Sequence, residues 1–287
     1  MPQNLFLKYL NMKRKVNPGT LILFIALSTG AVRAQQDTTN IPTIGSEAFQ
    51  VLRQFYDYDK VVPLDVNVVE QINWRSYDRE KIIFRGQHGQ VPGYFATPKS
   101  GNAPYPIIIL LHGVTSSKES WWEENSSMGQ LAEQLLASGY AVLTIDAEYH
   151  GERAENSPFE SPIDLLDKEW FVHFRDMMIE SVIDHRRGLD YLASRGDIDM
   201  SKIGLVGYSM GGVMTFILSA VDERINVALS CVSPIVSVPY LPTAVQNFAP
   251  FTEETPFLML MGTNDERNYT TASANLIYHM ITSKKKI

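Results

Sequence analysis

Cysteine is nearly absent from this sequence, with Cys231 the sole one among 287 residues. One cysteine cannot form a disulfide within the chain, and none stands near the N-terminus to carry a lipid. The setting of Cys231 in "VALSCVS" predicts a buried strand residue without a chemical role.

An excess of positive charge is also lacking, since 25 lysines and arginines face 32 aspartates and glutamates, for a net charge of -7. Residues 1–34 hold five of the basic residues and no acidic one, so the rest of the chain carries 20 basic against 32 acidic residues. This acidic balance argues against a nucleic acid or an anionic membrane surface as a partner.

Long apolar runs are missing, and the most apolar N-terminal stretch, "LILFIAL", extends to only about ten residues, half of what a bilayer crossing needs. It follows the basic "KRK" and precedes "AVRA", whose small residues suit a cleavage site after Ala34. Residues 1–34 are therefore predicted to be a cleaved signal peptide, with Met12 as an alternative start. We expect export to the periplasm or the exterior, with no stable membrane insertion after cleavage.

The segment 35–80 is predicted to hold a short amphipathic helix, over 46–58, and an extended arm, over 59–76. A β-hairpin follows in "KIIFRGQHGQVPGYFATP", which opens the main domain, 81–287.

Short apolar runs then alternate with helical patterns, which predicts an α/β fold: a mostly parallel twisted sheet with helices on both faces. The predicted strands are "IIILLHG", "YAVLTID", "KIGLVGY", "VALSCVS" and "PFLMLMG", and the predicted helices span 121–137, 170–194, a segment opening at Met210, and 271–282.

The pattern G-x-S-x-G stands between a predicted strand and a predicted helix, with Ser209 between Gly207 and Gly211. A sharp strand-to-helix turn strains the serine backbone and needs glycines two residues away on each side. It also places Ser209 at a helix N-terminus, where developing negative charge is stabilised. The alternatives are a glycine-rich turn that only seats a helix on a strand, and a phosphate loop, which the absence of a following lysine disfavours.

With "LLHGVTSS", "GYSMGG" and "MGTND" in this order, the chain from about Lys81 onward resembles an α/β-hydrolase. "DAEYHGER" makes it similar to carboxylesterases of the dienelactone-hydrolase and acyl-peptidase-like branch. The resemblance implies that Ser209 is the nucleophile and that the backbone N–H groups of Val114 and Met210 form the oxyanion hole, with Gly113 in the turn. A tight loop without function is the alternative for His112-Gly113.

The resemblance places the triad acid after a late strand, which points to Asp265, with Glu266 as a weaker candidate. The acid would orient the catalytic histidine. A solvated loop carboxylate is the alternative.

No histidine stands where the resemblance requires the base. His279 alone follows Asp265, and it falls within the last predicted helix, away from the apolar stripe. The basic "SKKKI" resembles the opening of the final strand, so we expect the sheet to be truncated at that strand and the histidine to be missing. A truncated product, a fragment and a variant without its base are the three explanations.

Other patterns carry less. A metal site at "YHGER" is not expected, and Asp146, His150 and Arg153 are predicted to hold a turn by hydrogen bonds. Trp121 and Trp122 fit core positions, with an acyl or leaving-group pocket as the alternative. Residues 152–170 are a candidate small cap.

The sequence thus predicts a serine hydrolase of carboxylic esters, impaired for want of its histidine, acting on a small or medium ester such as an acetylated sugar without a cofactor or metal. The alternatives are a serine peptidase and a non-catalytic binding protein. Oligomeric state is not predicted.

Overall fold

The computed structural model describes residues 43–234, 242–262 and 271–287. The predicted signal peptide, Asp265 and Glu266 lie outside them. The helices are α1 Ser46–Arg53, α2 Ser127–Ala137, α3 Asp164–Asp167, α4 Phe171–Ser194, α5 Met210–Val221 and α6 Thr271–Met280. The strands are β1 Asn67–Asn73, β2 Tyr77–Arg85, β3 Gln90–Pro98, β4 Tyr105–Leu111, β5 Ala141–Ile145, β6 Ile198–Tyr208, β7 Val227–Cys231 and β8 Phe257–Leu260.

These strands form one sheet in the order β1-β2-β3-β5-β4-β6-β7-β8. The first three strands pair antiparallel, and β3 joins β5 antiparallel. From β5 through β4, β6 and β7 to β8 every pairing is parallel. The α/β fold with a mostly parallel sheet is therefore confirmed. None of the helices formed by the described residues has the length and apolar content that a bilayer crossing requires.

The last described residues pair with β8. The N–H of Met259 donates to the carbonyl of Ile287 at 3.0 Å, and the Ile287 N–H donates to Phe257 at 3.0 Å. Phe257 also pairs in parallel with Lys286. "SKKKI" thus lies where the resemblance puts the opening of a further strand.

Helices cover both faces of the sheet, which explains the uninterrupted apolar run of β4. Ile107, Ile109 and Leu111 belong to the larger core cluster. Ile108 and Leu110 point to the opposite face, where they join the smaller cluster with Leu136 of α2. Over residues 107–111 neither face of β4 meets water, so polar residues have no place there.

Two elements differ from the sequence prediction. Strand β1 lies in the predicted arm and pairs with β2 although Val68 and Val69 are about half exposed, so backbone pairing rather than apolar alternation defines it. Helix α2 begins at Ser127 rather than near Trp121, because the Ser126 side chain accepts the Gly129 N–H at 2.9 Å and caps the helix there.

Candidate active site

Ser209 occupies a strained turn between β6 and α5. Its φ of 54° and ψ of -113° lie where residues with a Cβ are rarely found. Its N–H donates to the carbonyl of Cys231 at 2.9 Å, and its carbonyl accepts the Val213 N–H at 3.1 Å. The strand on one side and the helix on the other therefore hold the serine in this conformation.

Two glycines make room for the turn. A Cβ on Gly207 would lie 2.0 Å from the carbonyl oxygen of Gly211, and a Cβ on Gly211 would lie 2.2 Å from that of Leu111. Both obstacles are backbone atoms. The glycines predicted for the elbow are thus needed for close approach, and the contact at Leu111 seats the elbow against the end of β4.

The loop after β4 lies beside the serine. A Cβ on Gly113 would be 3.4 Å from the Cβ of Ser209 and 3.3 Å from the Tyr208 ring. The structure therefore brings together Ser209, Gly113 and the start of α5 at Met210. The first N–H groups of a helix have no partner within it, so the Met210 N–H suits an incoming oxyanion.

His112 fixes the peptide that joins Gly113 to Val114. Its Nε2 accepts the Ala147 N–H at 3.0 Å, so Nδ1 carries the proton and donates it to the Gly113 carbonyl at 2.9 Å. Because N–H and C=O point in opposite directions across a trans peptide, the Val114 N–H is directed away from His112. Burial, with help from nearby His150, lowers the pKa of His112 to about 3 and keeps it neutral.

The segment Asp146–Arg153 is a turn held by hydrogen bonds, as predicted. Buried Asp146 accepts the N–H of Lys118 at 2.9 Å and that of Glu152 at 3.0 Å. Arg153 donates to the Asp146 carbonyl at 3.2 Å. His150 faces two carbonyl oxygens, with Nδ1 2.7 Å from Glu148 and Nε2 2.9 Å from Val114.

Residues 108–276, more than half of the chain, match the profile of the alpha/beta hydrolase family. This chain belongs to the α/β-hydrolase family.

Similar proteins cover parts of this α/β-hydrolase. "Putative hydrolase YtaP" of Bacillus subtilis (strain 168) is 30% identical over 154 residues, which is 52% of this chain and 50% of that protein. "Putative esterase YitV" of the same organism is 32% identical over 110 residues, 38% of this chain and 37% of that protein. The chain thus spans half or less of the length of these curated relatives.

Solved structures share the fold. Acetyl xylan esterase 1 from Thermoanaerobacterium sp. JW/SL YS485 has a TM-score of 0.67 at 17% identity, covering 87% of this chain and 88% of that one. A cold-adapted esterase from an Arctic intertidal metagenomic library has a TM-score of 0.59 at 22% identity, covering 76% and 86%. At these identities the likeness concerns the fold alone.

Sequence reasoning about this α/β-hydrolase missed Lys118. Its side chain is fully buried, with Nζ 2.9 Å from Asp146, 2.6 Å from Glu152 and 3.2 Å from Glu119. Burial alone would lower the pKa of Lys118, but the carboxylates outweigh it and the pKa is raised. The polar "TSSKES" gave no sign of burial, because two of the three partners, Asp146 and Glu152, lie 28 and 34 positions further along the chain.

The other residues that the sequence analysis considered lie on the surface or in the core. His279 is exposed on α6, opposite buried Ile277 and Ile281, as its place on the helical wheel indicated. Trp121 is buried in the smaller core cluster. Trp122 is partly buried, packs against the same cluster and donates its Nε1–H to Thr144 at 3.0 Å.

The segment predicted as a cap contains a 3-10 helix, Gly151–Asn156, and α3. Tyr149, which precedes it with a φ of 63°, packs its ring edge-on against Phe159 at 4.8 Å. Phe159 in turn lies 6.4 Å from Trp170, which is 40% exposed. A cap over the site stays a prediction.

Because three histidines are buried, we expect the folded protein to lose stability as the pH falls. Burial lowers the pKa of His112 and His185 to about 3 and that of His150 to about 4. Their pKa values in the unfolded chain are about 6.5, so the unfolded state binds more protons between these limits. The stability they contribute is fully present above about pH 6.5 and is lost as pH falls towards 4.

His185 offers the clean test, because neither ring nitrogen has a hydrogen-bond partner among the described residues. In the variant His185→Leu, the slope of unfolding free energy against pH between 6 and 4 should fall by about 1.4 kcal/mol per pH unit, one proton's worth. Stability at pH 7 should be retained, since an unpaired polar group is replaced by an apolar one. Urea titrations at several pH values measure this, and an unchanged slope would contradict it.

Proposed function

We propose that this α/β-hydrolase is a serine hydrolase that cleaves carboxylic esters through an acyl-enzyme. The observation that carries the proposal is the strained Ser209, held at the N-terminus of α5 with Gly113 of the β4 loop beside it. A nucleophile elbow and an oxyanion loop have to meet in this way for acyl transfer.

In the proposed reaction the Ser209 Oγ forms a bond to the ester carbonyl carbon and passes its proton to a histidine base. The Val114 and Met210 N–H groups stabilise the carbonyl oxygen as it becomes negative. The C–O bond to the alcohol then breaks, and the alcohol leaves with the proton. Water repeats these steps on the acyl-enzyme and releases the acid.

Asp265 is proposed to orient the histidine, as the acid of a triad does. We place the base on a histidine other than the six of this chain. His112, His150 and His185 are buried, and both nitrogens of the first two face hydrogen-bond partners. The other three histidines, at 88, 173 and 279, are exposed and contact Glu180, Trp170 and Tyr278 rather than Ser209. This chain on its own is therefore proposed to turn over slowly.

The proposed substrate is a small or medium carboxylic ester, such as an acetylated sugar. The names of the relatives support an ester, since they include an esterase and an acetyl xylan esterase. Export after signal-peptide cleavage near Ala34 is part of the proposal and fits polymeric substrates outside the cell. The acidic charge balance is consistent with an absence of nucleic-acid partners.

A non-catalytic binding protein is the second candidate, favoured by the lack of a suitable base among the six histidines. The two candidates predict different fates for Ser209. A pocket kept only for binding has no need of a serine that reacts with electrophiles.

The experiment combines a fluorophosphonate with 4-nitrophenyl acetate. Two proteins are compared, residues 35–287 and the same chain continued through whatever its gene encodes after Ile287. We expect fluorophosphonate attached to the peptide that contains Ser209, and faster ester hydrolysis by a continued form that supplies a histidine. If neither protein is labelled and neither hydrolyses the ester, the esterase proposal is wrong and the binding candidate stands.

A further inference from the structure

We propose that His150 donates its Nε2–H to the Val114 carbonyl, 2.9 Å away, and is a positioning residue for catalysis because this contact fixes the loop after β4, residues 112–118, referred to as the oxyanion loop. The inference rests on the proposed esterase function and deepens it. It gives the turn after β5 a task in acyl transfer, although none of its side chains is proposed to touch the substrate.

Three contacts tie the loop after β4 to the turn after β5. His112 accepts the Ala147 N–H, His150 lies 2.9 Å from the Val114 carbonyl, and Asp146 accepts both the N–H and the Nζ of Lys118. They are spread along the oxyanion loop, from its first residue to its last. The turn after β5 therefore holds the oxyanion loop in place along its length.

The His150 contact is the one that bears on the proposed oxyanion donor. The peptide whose N–H would meet the oxyanion precedes the Val114 Cα, and the peptide whose C=O meets His150 follows it. Holding the second peptide limits rotation about the Val114 backbone and so limits the direction of the N–H. His112 holds the first peptide through the Gly113 carbonyl at 2.9 Å. Together the two imidazoles fix both peptides around Val114.

His150 is itself built into the fold. It is 3% exposed, and its ring lies 5.0 Å from that of His112. Burial lowers the pKa of His150 to about 4, although the Val114 carbonyl and the Asp146 charge raise it, so the ring is neutral near pH 7. A neutral ring has one N–H for two carbonyls, at Glu148 and Val114. The inference assigns that proton to Nε2.

Two amide side chains separate the alternatives. The amide nitrogen of glutamine can take the place of Nε2 and still donate to Val114, whereas that of asparagine can take the place of Nδ1 and donate only to Glu148. His150→Gln should therefore preserve the positioning contact and His150→Asn should remove it. Each variant keeps a polar group at the site, and thermal unfolding shows whether each one folds.

The decisive readout compares a carboxylic ester with its thionoester, in whichever form of the protein turns the ester over. Sulfur accepts hydrogen bonds weakly, so a thionoester gains little from an oxyanion hole. His150→Asn should lower kcat/KM for the ester by about 10- to 100-fold, mainly in kcat, because small misplacements of a catalytic group have effects of this size. The loss with the thionoester should be much smaller. His150→Gln should stay within about threefold of the wild type.

Several results would overturn the inference. Equal losses with both substrates would mean a structural role only, and activity retained by Asn but lost by Gln would place the proton on Nδ1. A wild type that hydrolyses neither substrate would overturn the esterase proposal itself, and that failure is recognisable because it precedes any substitution.

Amide hydrogen exchange supplies a readout that needs no turnover. The peptide covering residues 112–118 should exchange at least about tenfold faster in His150→Asn than in the wild type, and His150→Gln should resemble the wild type. Equal exchange in all three proteins would show that the Val114 contact does not order the loop.

Discussion

In a form of the protein that supplies the histidine base, the variant Ser209→Ala is expected to lose ester hydrolysis by at least about 10³-fold and to lose fluorophosphonate labelling altogether. Removing the nucleophile of a triad has an effect of this order, because only the oxyanion hole and substrate binding remain. The fold should tolerate alanine, which leaves the Ser209 N–H free to donate to Cys231. Initial rates with 4-nitrophenyl acetate and intact-protein mass spectrometry after labelling measure both effects.

Ser201→Ala is the matched control for this substitution. Ser201 is an exposed serine on β6, the strand that precedes Ser209, and its hydroxyl bonds to Asp199 at 2.6 Å. The control should label and hydrolyse like the wild type. If Ser209→Ala keeps the wild-type rate, the acyl-enzyme mechanism is wrong even if the protein proves to be an esterase.

The variant Lys118→Met is expected to lower the free energy of unfolding by about 3–5 kcal/mol. Methionine fills much of the same space, but Asp146 is left as a fully buried carboxylate without its ammonium partner. Breaking one side of a buried ion pair has this effect because the remaining charge is uncompensated. In a domain of this size the melting temperature should fall by roughly 10 °C. Urea and thermal unfolding give the two values.

Two further variants test the cause. Lys81→Met removes an ammonium that lies 2.9 Å from the partly exposed Glu152, and it should change stability by less than about 1 kcal/mol. Combining Lys118→Met with Asp146→Asn should recover part of the loss, since the orphaned charge is gone. A double variant no more stable than Lys118→Met would show that the loss does not come from the carboxylate.

The sequence predicted the strands of the parallel part of the sheet and the elbow at Ser209 because local chemistry determines them. A strand segment covered on both faces must be apolar, as residues 107–111 of β4 are, and a sharp strand-to-helix turn must have small residues on both sides. These constraints act within a few residues, so a single sequence is enough to reveal them.

The contacts between the oxyanion loop and the turn after β5 could not be predicted in the same way. Lys118 and Asp146 lie 28 positions apart, and their meeting depends on β4 and β5 being neighbours in the sheet. Strand β1 was missed for a related reason, because its residues are largely exposed and only pairing with β2 defines it. Contacts set by topology leave no periodic trace along the chain.

The glycines of the elbow also limit how this protein can diverge. A side chain on Gly211 would meet the carbonyl oxygen of Leu111, which is present whatever residue occupies that position. A side chain on Gly204 would meet the tips of Ile108 and Val227, which a mutation to a shorter residue could remove. Substitution at 204 can therefore be rescued by a second mutation nearby, whereas no change of neighbouring side chain can rescue position 211. Position 204 can therefore change during evolution together with positions 108 and 227, whereas position 211 must remain glycine.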